Sequence, residues 1–357
     1  MNLKAALLKL IARKKHCGEI DANRLQRILI VRPAKIGDTL CLFPLIRELK
    51  QALPNARIDV YAGVHNNFMF RYLPQVSRVY TQYRNRNWLR TLAEVIRMRR
   101  NRYDLVIDTM EIKFGKVLSL VLINPAWLIG SSGFESRYGI WNADLKLYDR
   151  LVQWQPVHTT DRLLGFLRPL GIEYENSAME FPLGDDSIAY ADGFLAPYSG
   201  RCLIGLNAEA SDIVRSINDD ELIEICRGIG RRLDNVVIIL FSSPHRREHA
   251  NRLIAAAGLE HVVPEKGSRN IFDAAALVSR LDVMISPDTS FIHIASAYDI
   301  PTVGIYRNDK EHIQIWGPRS SRSYVITPPP HSEGIRGFSV EQTVDTAVTM
   351  LNDRKRA

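Results

Sequence analysis

LDVMISPDTSFIHIASAYDIPTVGIY, residues 281–306, holds the pattern on which the fold turns. LDVMIS (281–286) is an apolar run of strand length, SPDTS is a polar turn, a helix pattern follows near 290–298, and PTVGIY (301–306) is a second strand. Strand, turn, helix and strand in such close order form neighbouring parallel strands, because a crossover helix returns the chain to the same edge of the sheet. Towards the N-terminus the alternation continues through CLIGLN (202–207), a helix near 219–233, NVVIILF (235–241), and helices near 245–257 and 271–280. Towards the C-terminus, the breaker PPP at 328–330 precedes a last helix at about 340–351.

A separate alternation occupies the first part of the chain. RILIVR (27–32) leads into a Gly-containing turn and a helix pattern through Leu42, Leu45, Ile46 and Leu49, stopped near Pro54. ARIDVYAG (56–63) and SRVYTQY (77–83) read as strands, and Trp88 to Arg100 as a helix. The continuous apolar character of YDLVIDT (103–109) suits a sheet covered on both faces. Residues 110–185 are less regular, with one clear helix from about Thr160 to Leu170, ended by Gly171. The expectation is an α/β chain of two Rossmann-like domains, 1–185 and 186–357, the last helix being a candidate to pack back on the first domain. Two such domains imply a cleft faced by the C-terminal ends of the strands and their loops.

With 357 residues, 46% hydrophobic and 24% charged, the chain can fill two cores, and its composition excludes disordered, collagenous and disulfide-rich classes. Cys17, Cys41, Cys202 and Cys226 stand at neither zinc-ligand nor redox spacing, which suits small buried hydrophobes in a reducing cytoplasm. A formal charge of +8 favours an anionic partner: nucleic acid, an acidic membrane surface or a phosphorylated substrate. No apolar run approaches the roughly 20 residues that span a bilayer. MNLKAALLKLIARKK at the start is not a secretory signal; it is an amphipathic helix with Leu3, Leu7, Leu10 and Ile11 on one side, either an anchor to an anionic leaflet or a terminal helix packed on the domain. Arg84, Arg86, Arg90, Arg97, Arg99, Arg100 and Arg102 are either the wet face of a helix or a surface for acidic headgroups and sugar phosphates. Their aromatics are not interleaved for base stacking, so nucleic acid is not expected.

Three strand ends carry candidate chemistry. In RPAKIGDTLCLFP (32–44) Gly37 permits a tight turn, but a single glycine is not the dinucleotide pattern G-x-G-x-x-G. Asp38 is then either a helix N-cap or a general base that takes the proton of a sugar hydroxyl. In SPDTSFIHIA (286–295), Asp288, Thr289 and Ser290 lie where a helix N-terminus favours phosphate, and His293 follows on an adjacent helical face. Asp288 would repel phosphate, so it suits the uncharged hydroxyls of an attached sugar. In NAEASDIVRS (207–216) small and polar residues suit a phosphate loop, and Arg215 is either a solvated surface arginine or the cation that neutralises a leaving diphosphate.

Taken together, IGDTLCLFP, NAEAS with a basic residue after it, and ISPDTSFIHIASAYDIPTVGIY with the later WGP resemble the ADP-heptose:lipopolysaccharide heptosyltransferases, glycosyltransferase family 9, from about residue 27 to about 350. The resemblance implies the GT-B fold, an inverting mechanism, no metal and no other cofactor. It further implies ADP-heptose as donor, an anionic lipid A-linked core oligosaccharide as acceptor, and a cytoplasmic enzyme at the inner face of the inner membrane. By the same likeness Asp38 is the general base and Arg215 holds the donor phosphates. Asn207, Ser211, Asp288, Thr289, Ser290 and His293 line the donor, Glu248 in SPHRREHANRL is a looser match to a carboxylate on the ribose, and Lys35, Arg84 and Arg86 are the cations for the acceptor. Three residues depart from the family pattern: Glu209 in the phosphate loop, Arg215 in place of a lysine, and Arg307 where glycine is common. They leave open another nucleotide sugar, a protein acceptor, or a nucleotide-sugar binder without catalysis.

Overall fold

The computed structural model describes residues 18–83, 87–111, 113–133 and 145–354. The amphipathic N-terminal stretch, Cys17, Arg84 and Arg86 lie outside the described residues. The chain divides into two compact units, Met1–Ser177 and Ala178–Ala357.

The first unit is built on β1 (Arg27–Arg32), β2 (Arg57–Gly63), β3 (Val76–Gln82), β4 (Leu105–Asp108), β5 (Trp127–Ser131) and β6 (Arg150–Val152), all parallel, in the order β3-β2-β1-β4-β5-β6. Between strands run α1 (Ile36–Leu40), α2 (Phe43–Ala52), α3 (Trp88–Arg100), α4 (Phe114–Ile123) and α5 (Thr159–Leu164). β1 is buried from Ile28 to Arg32 and β4 throughout, as strands covered on both faces must be.

The second unit repeats the plan with β7 (Cys202–Asn207), β8 (Val236–Phe241), β9 (Val262–Pro264), β10 (Val283–Pro287), β11 (Thr302–Ile305) and β12 (Ser323–Ile326), parallel in the order β12-β11-β10-β7-β8-β9. Its helices are α6 (Asp185–Leu195), α7 (Asp219–Gly230), α8 (Arg247–Ala257), α9 (Ile271–Val278), α10 (Ser290–Ala297), α11 (Lys310–Trp316) and α12 (Val340–Arg354). Each sheet starts in its middle, builds outward to one side, and then reverses. The reversal leaves a switch point between β1 and β4 in one unit and between β7 and β10 in the other, where loops diverge and ligands enter.

The α/β reading and both alternations hold, with local corrections. The helix pattern after β1 is two helices, because Pro44 opens a fresh one and suits the first helical turn. The stretch read as one helix to Leu170 ends as α helix at Leu164 and continues as 3₁₀ through Pro169, closing on Gly171 at φ +67°. Residues 110–185 conceal α4, β5 and β6. The last helix packs within its own unit: Val344, Ala347, Met350 and Leu351 share a core cluster with Ile225, Ile229 and Ile285. Gly228 is what admits it, since a Cβ there would stand 2.9 Å from Cγ2 of Val344. Cys41 and Cys226 are buried free thiols, both pushed up to about 12 by burial, as expected of small core residues. Among the described residues no helix is long and apolar enough to cross a membrane.

One buried ion pair stiffens the first unit beneath its strand ends. Lys116 Nζ donates to Asp108 Oδ2 at 2.5 Å and to the Met110 carbonyl at 2.7 Å, and the Tyr148 hydroxyl donates to the same carboxylate oxygen at 2.7 Å. Burial lowers the Lys116 pKa and Asp108 opposes that shift. Lys116→Met, which strands the carboxylate, is expected to destabilise the unit by about 3–5 kcal/mol. Lys116→Met combined with Asp108→Leu is expected to cost less, and urea unfolding of both variants checks the order.

Candidate functional site

In the first unit the turn after β1 is fixed by two buried side chains. Asn66 Nδ2 donates to the Arg32 carbonyl at 2.7 Å and to Thr39 Oγ1 at 2.9 Å. Arg32 donates from NH2 to the Asp38 carbonyl at 2.9 Å and from NH1 to the Thr109 carbonyl at 3.3 Å. Its guanidinium therefore spans the switch point, tying the loop after β1 to the loop after β4. Burial lowers the Arg32 pKa, with Asp38 and Cys41 acting against it.

Asp38 is not the N-cap. It is the third residue of α1, and its Oδ2 accepts from the Lys35 backbone N–H at 3.3 Å. That is one long, local bond for a partly exposed carboxylate, so most of its accepting capacity remains available. Lys35 itself is exposed. A residue that sequence reasoning passed over stands nearby. Burial lowers the Arg162 pKa, Arg32 adds to the shift, and Cys41 and Asp38 oppose it. Its NH2 donates to Thr159 Oγ1 at 3.2 Å and its guanidinium lies 6.0 Å from the Trp154 ring centroid. Two arginines thus flank the partly exposed acid.

In the second unit, side chains again cross the switch point. Asn207, the last residue of β7, donates from Nδ2 to Ser286 Oγ at 3.0 Å and to Thr289 Oγ1 at 3.2 Å. The same amide holds the phosphate-loop backbone, donating to the Glu209 carbonyl at 3.0 Å and accepting from the Glu209 N–H at 3.2 Å. Thr289 caps α10 through a bond from the Phe291 N–H at 3.3 Å, and Ser290 opens that helix, whose dipole presents positive charge at this end.

Around this frame the charges are set. Arg215 NH2 donates to the Asp288 carbonyl at 2.8 Å and to its Oδ2 at 2.9 Å. His312 Nε2 stands 2.8 Å from the same Oδ2. Burial alone would raise the Asp288 pKa, but His312, Arg215 and His293 together hold it below the usual carboxylate range. His293 is buried, with its ring 6.1 Å from that of Trp316, so the WGP segment braces the site's histidine. His312 was missed because it belongs to no strand-end motif. It reaches Asp288 from α11, whose N-cap Asp309 accepts from the His312 N–H at 2.9 Å and pairs with Arg307 at 2.8 Å. The unusual Arg307 thus steadies the helix that brings His312 in.

Asn207, Arg215, Asp288, Thr289, Ser290 and His293 are therefore brought together, while Ser211 and Glu248 are not. Ser211 is exposed, and the loop is fastened by Ser216, whose Oγ accepts from the Ala210 N–H at 2.9 Å. The Glu248 side chain is 83% exposed and faces Arg252 one turn along α8. His249 and Ala250 of that helix, with His245 and Arg246 just before it and Glu209, line a cavity of about 560 Å³. Glu209 turns away from Arg215, accepting from the Ser243 N–H at 3.2 Å and from the Ser243 hydroxyl.

The depressed pKa of Asp288 sets a sign. A carboxylate stabilised in the folded state contributes above its unfolded pKa of about 4 and loses that contribution as pH falls through its lower folded value. His312→Ala removes the first of its stabilising partners. Stability is then expected to fall most near neutrality, where the Asp288 contribution is full, and the difference from the unsubstituted chain to vanish as pH falls below about 4; melting curves from the acid range to neutrality check this.

The chain matches the family model of glycosyltransferase family 9 (heptosyltransferase) over residues 92–332, more than half of its length. It is 22% identical over 283 residues to a lipopolysaccharide core heptosyltransferase, OpsX, of Haemophilus influenzae, covering 78% of each chain. A glycosyltransferase family 9 structure from Veillonella parvula superposes with a TM-score of 0.79 at 16% identity, covering 94% of this chain and 99% of that one. The E. coli heptosyltransferase WaaC with ADP-2-deoxy-2-fluoro heptose superposes at 0.68 with 19% identity, covering 92% and 100%. Two six-stranded parallel sheets, switch-point loops carrying the family's motifs and a match over most of the chain lead to one assignment: this is a GT-B glycosyltransferase that belongs to glycosyltransferase family 9 (heptosyltransferase).

Proposed function

We propose that this glycosyltransferase moves L-glycero-D-manno-heptose from ADP-heptose to the inner core of lipopolysaccharide, with inversion and without a metal ion. The observation that carries the proposal is the bonded set at the β7/β10 switch point, where Asn207, Thr289, Asp288, Arg215 and His312 are joined by hydrogen bonds. A nucleotide sugar presents a doubly charged diphosphate beside a neutral, hydroxyl-rich ring. The α10 N-terminus and Arg215 suit the first, and an ionised Asp288 suits the second. Further support comes from the E. coli relative that was solved with an ADP-heptose analogue.

In the proposed reaction the acceptor hydroxyl oxygen attacks the anomeric carbon while Asp38 takes its proton. The bond from that carbon to the diphosphate oxygen breaks, and ADP leaves with the electron pair. Arg215 and the end of α10 stabilise the charge that develops on the leaving group, the role a metal ion fills elsewhere. On the nucleoside side the carboxylate is Glu209, which lines a cavity of ligand size, rather than the outward Glu248. Arg162, half-buried near Asp38, holds an anionic group of the acceptor. The acceptor is lipid-borne, so the enzyme works at the inner membrane surface.

Asp38→Asn keeps the turn and removes the base. Its kcat is expected to fall about 10²- to 10⁴-fold, with donor affinity nearly unchanged. Turnover close to wild type with purified ADP-heptose and core acceptor would remove Asp38 from the chemistry. Calorimetry separates the donors: ADP is expected to bind more tightly than UDP or GDP, and a preference for UDP would overturn the heptose donor.

A further inference from the structure

The face of α3 that is turned from the core has no explanation in the transfer reaction. Val95 and Met98 anchor the helix in the core cluster of the first unit. On the opposite side Leu89 is 63% exposed and Ile96 44%, while Trp88, 60% exposed, opens the helix two turns before Val95. Leu89, Ala93, Ile96 and Arg100 follow at helical spacing, so they form one stripe along the helix. Isolated exposed hydrophobics are ordinary, but this helix adds exposed arginines to an apolar ridge, and Leu118 is exposed on α4, which packs beside it. Arg97 shares Glu94 at 3.1 Å, and Arg99 donates to the Leu122 carbonyl at 2.7 Å. A merely solvated face would carry charge without Leu and Ile.

The geometry points to α3 as a membrane-docking helix that lies in the headgroup region of an anionic bilayer. Leu89 and Ile96 enter the acyl boundary, Trp88 meets the interface at the start of the helix, and Arg97 and Arg100 meet lipid phosphates. Charge complementarity selects this occupant, because an apolar stripe edged by arginines matches apolar chains beneath anionic headgroups. The position of the helix fits the task. In a parallel sheet a helix begins at the end where its preceding strand finishes, so the start of α3 after β3 lies at the edge of the sheet that carries Asp38 after β1. Docking there brings that edge to a lipid-borne sugar. The inference rests on the proposed lipid-borne acceptor. Plain phospholipid vesicles hold no acceptor, so docking and transfer are scored separately.

The test is co-sedimentation of the full chain with vesicles of phosphatidylglycerol in phosphatidylcholine, and with phosphatidylcholine alone. Binding is expected to require the anionic lipid. Leu89→Asp with Ile96→Asp is expected to weaken it at least tenfold, an order-of-magnitude figure for losing buried apolar area. Both residues are solvent-exposed, so the variant should fold; transfer to a soluble, delipidated acceptor should stay near wild type. Independently, Trp88→Phe should abolish the vesicle-induced blue shift of tryptophan emission. Unchanged binding by the double variant, or an emission shift that survives Trp88→Phe, overturns the assignment. A dimer in lipid-free solution that the double variant dissolves overturns it as well, giving the face to a second copy of the chain.

Discussion

Both units depend on a single constraint: side chains must hold together the two loops that a reversed strand order drives apart. At a switch point, successive crossovers leave on opposite faces of the sheet, so no main-chain ladder joins the loops beyond the strand ends. Arg32 makes the join in the first unit, bonding the Asp38 and Thr109 carbonyls. Asn207 makes it in the second, bonding Ser286, Thr289 and the Glu209 backbone. Both are buried, where an unmade hydrogen bond costs more than it does at the surface. The loops are consequently held before any substrate arrives, and a held polar frame is what stabilises developing charge without reorganising.

The two acids differ because their surroundings differ. Asp288 is largely buried and bonded to Arg215, with His312 on the same oxygen, so its negative charge is fixed in place and well compensated. A carboxylate held in that way orients hydroxyls but is a poor proton acceptor. Asp38 has one long main-chain bond and partial exposure, so a proton can reach it. The contrast between an acid fixed by charged partners and one with a single long main-chain bond follows from these contacts.

How much was legible in the sequence follows the same physics. RILIVR and NVVIILF declare themselves because a strand covered on both faces has nowhere to put a polar residue. β5 and β6 were hidden because they are short, β6 is only half-buried, and the two are aligned by a side chain, Asp149 Oδ2 accepting from the Leu128 N–H at 2.7 Å. Asn207, Asp288 and Thr289 could be found because each sits beside its own strand end. His312 could not, since it reaches Asp288 from a different crossover, and Arg162 could not, since it comes from a helix in the irregular stretch. Glu248 misled because a helix offers every residue type a place, and only its phase decides which residues face the cavity. His249 does, beside His245 and Arg246 from the turn before the helix, and Glu248 points to solvent.

The departures from the family pattern are local substitutions whose consequences are met by neighbours. An acid in a phosphate loop is unfavourable only while its charge faces the phosphate. Glu209 is drawn to Ser243, with Arg246 4.0 Å away, so its charge is carried on the β8 side of the loop. Arg215 delivers two bonds to one residue, its carbonyl and its carboxylate, and its planar fork retains further N–H groups for a ligand. Arg307, in place of a residue without a side chain, pairs with the cap of the helix that carries His312. Glu209 and Arg307 each bring a charge and Arg215 keeps one, and each of these charges has a bonded partner. The fold is that of the family, and in this chain each of the three charged residues is held by a partner within the second unit.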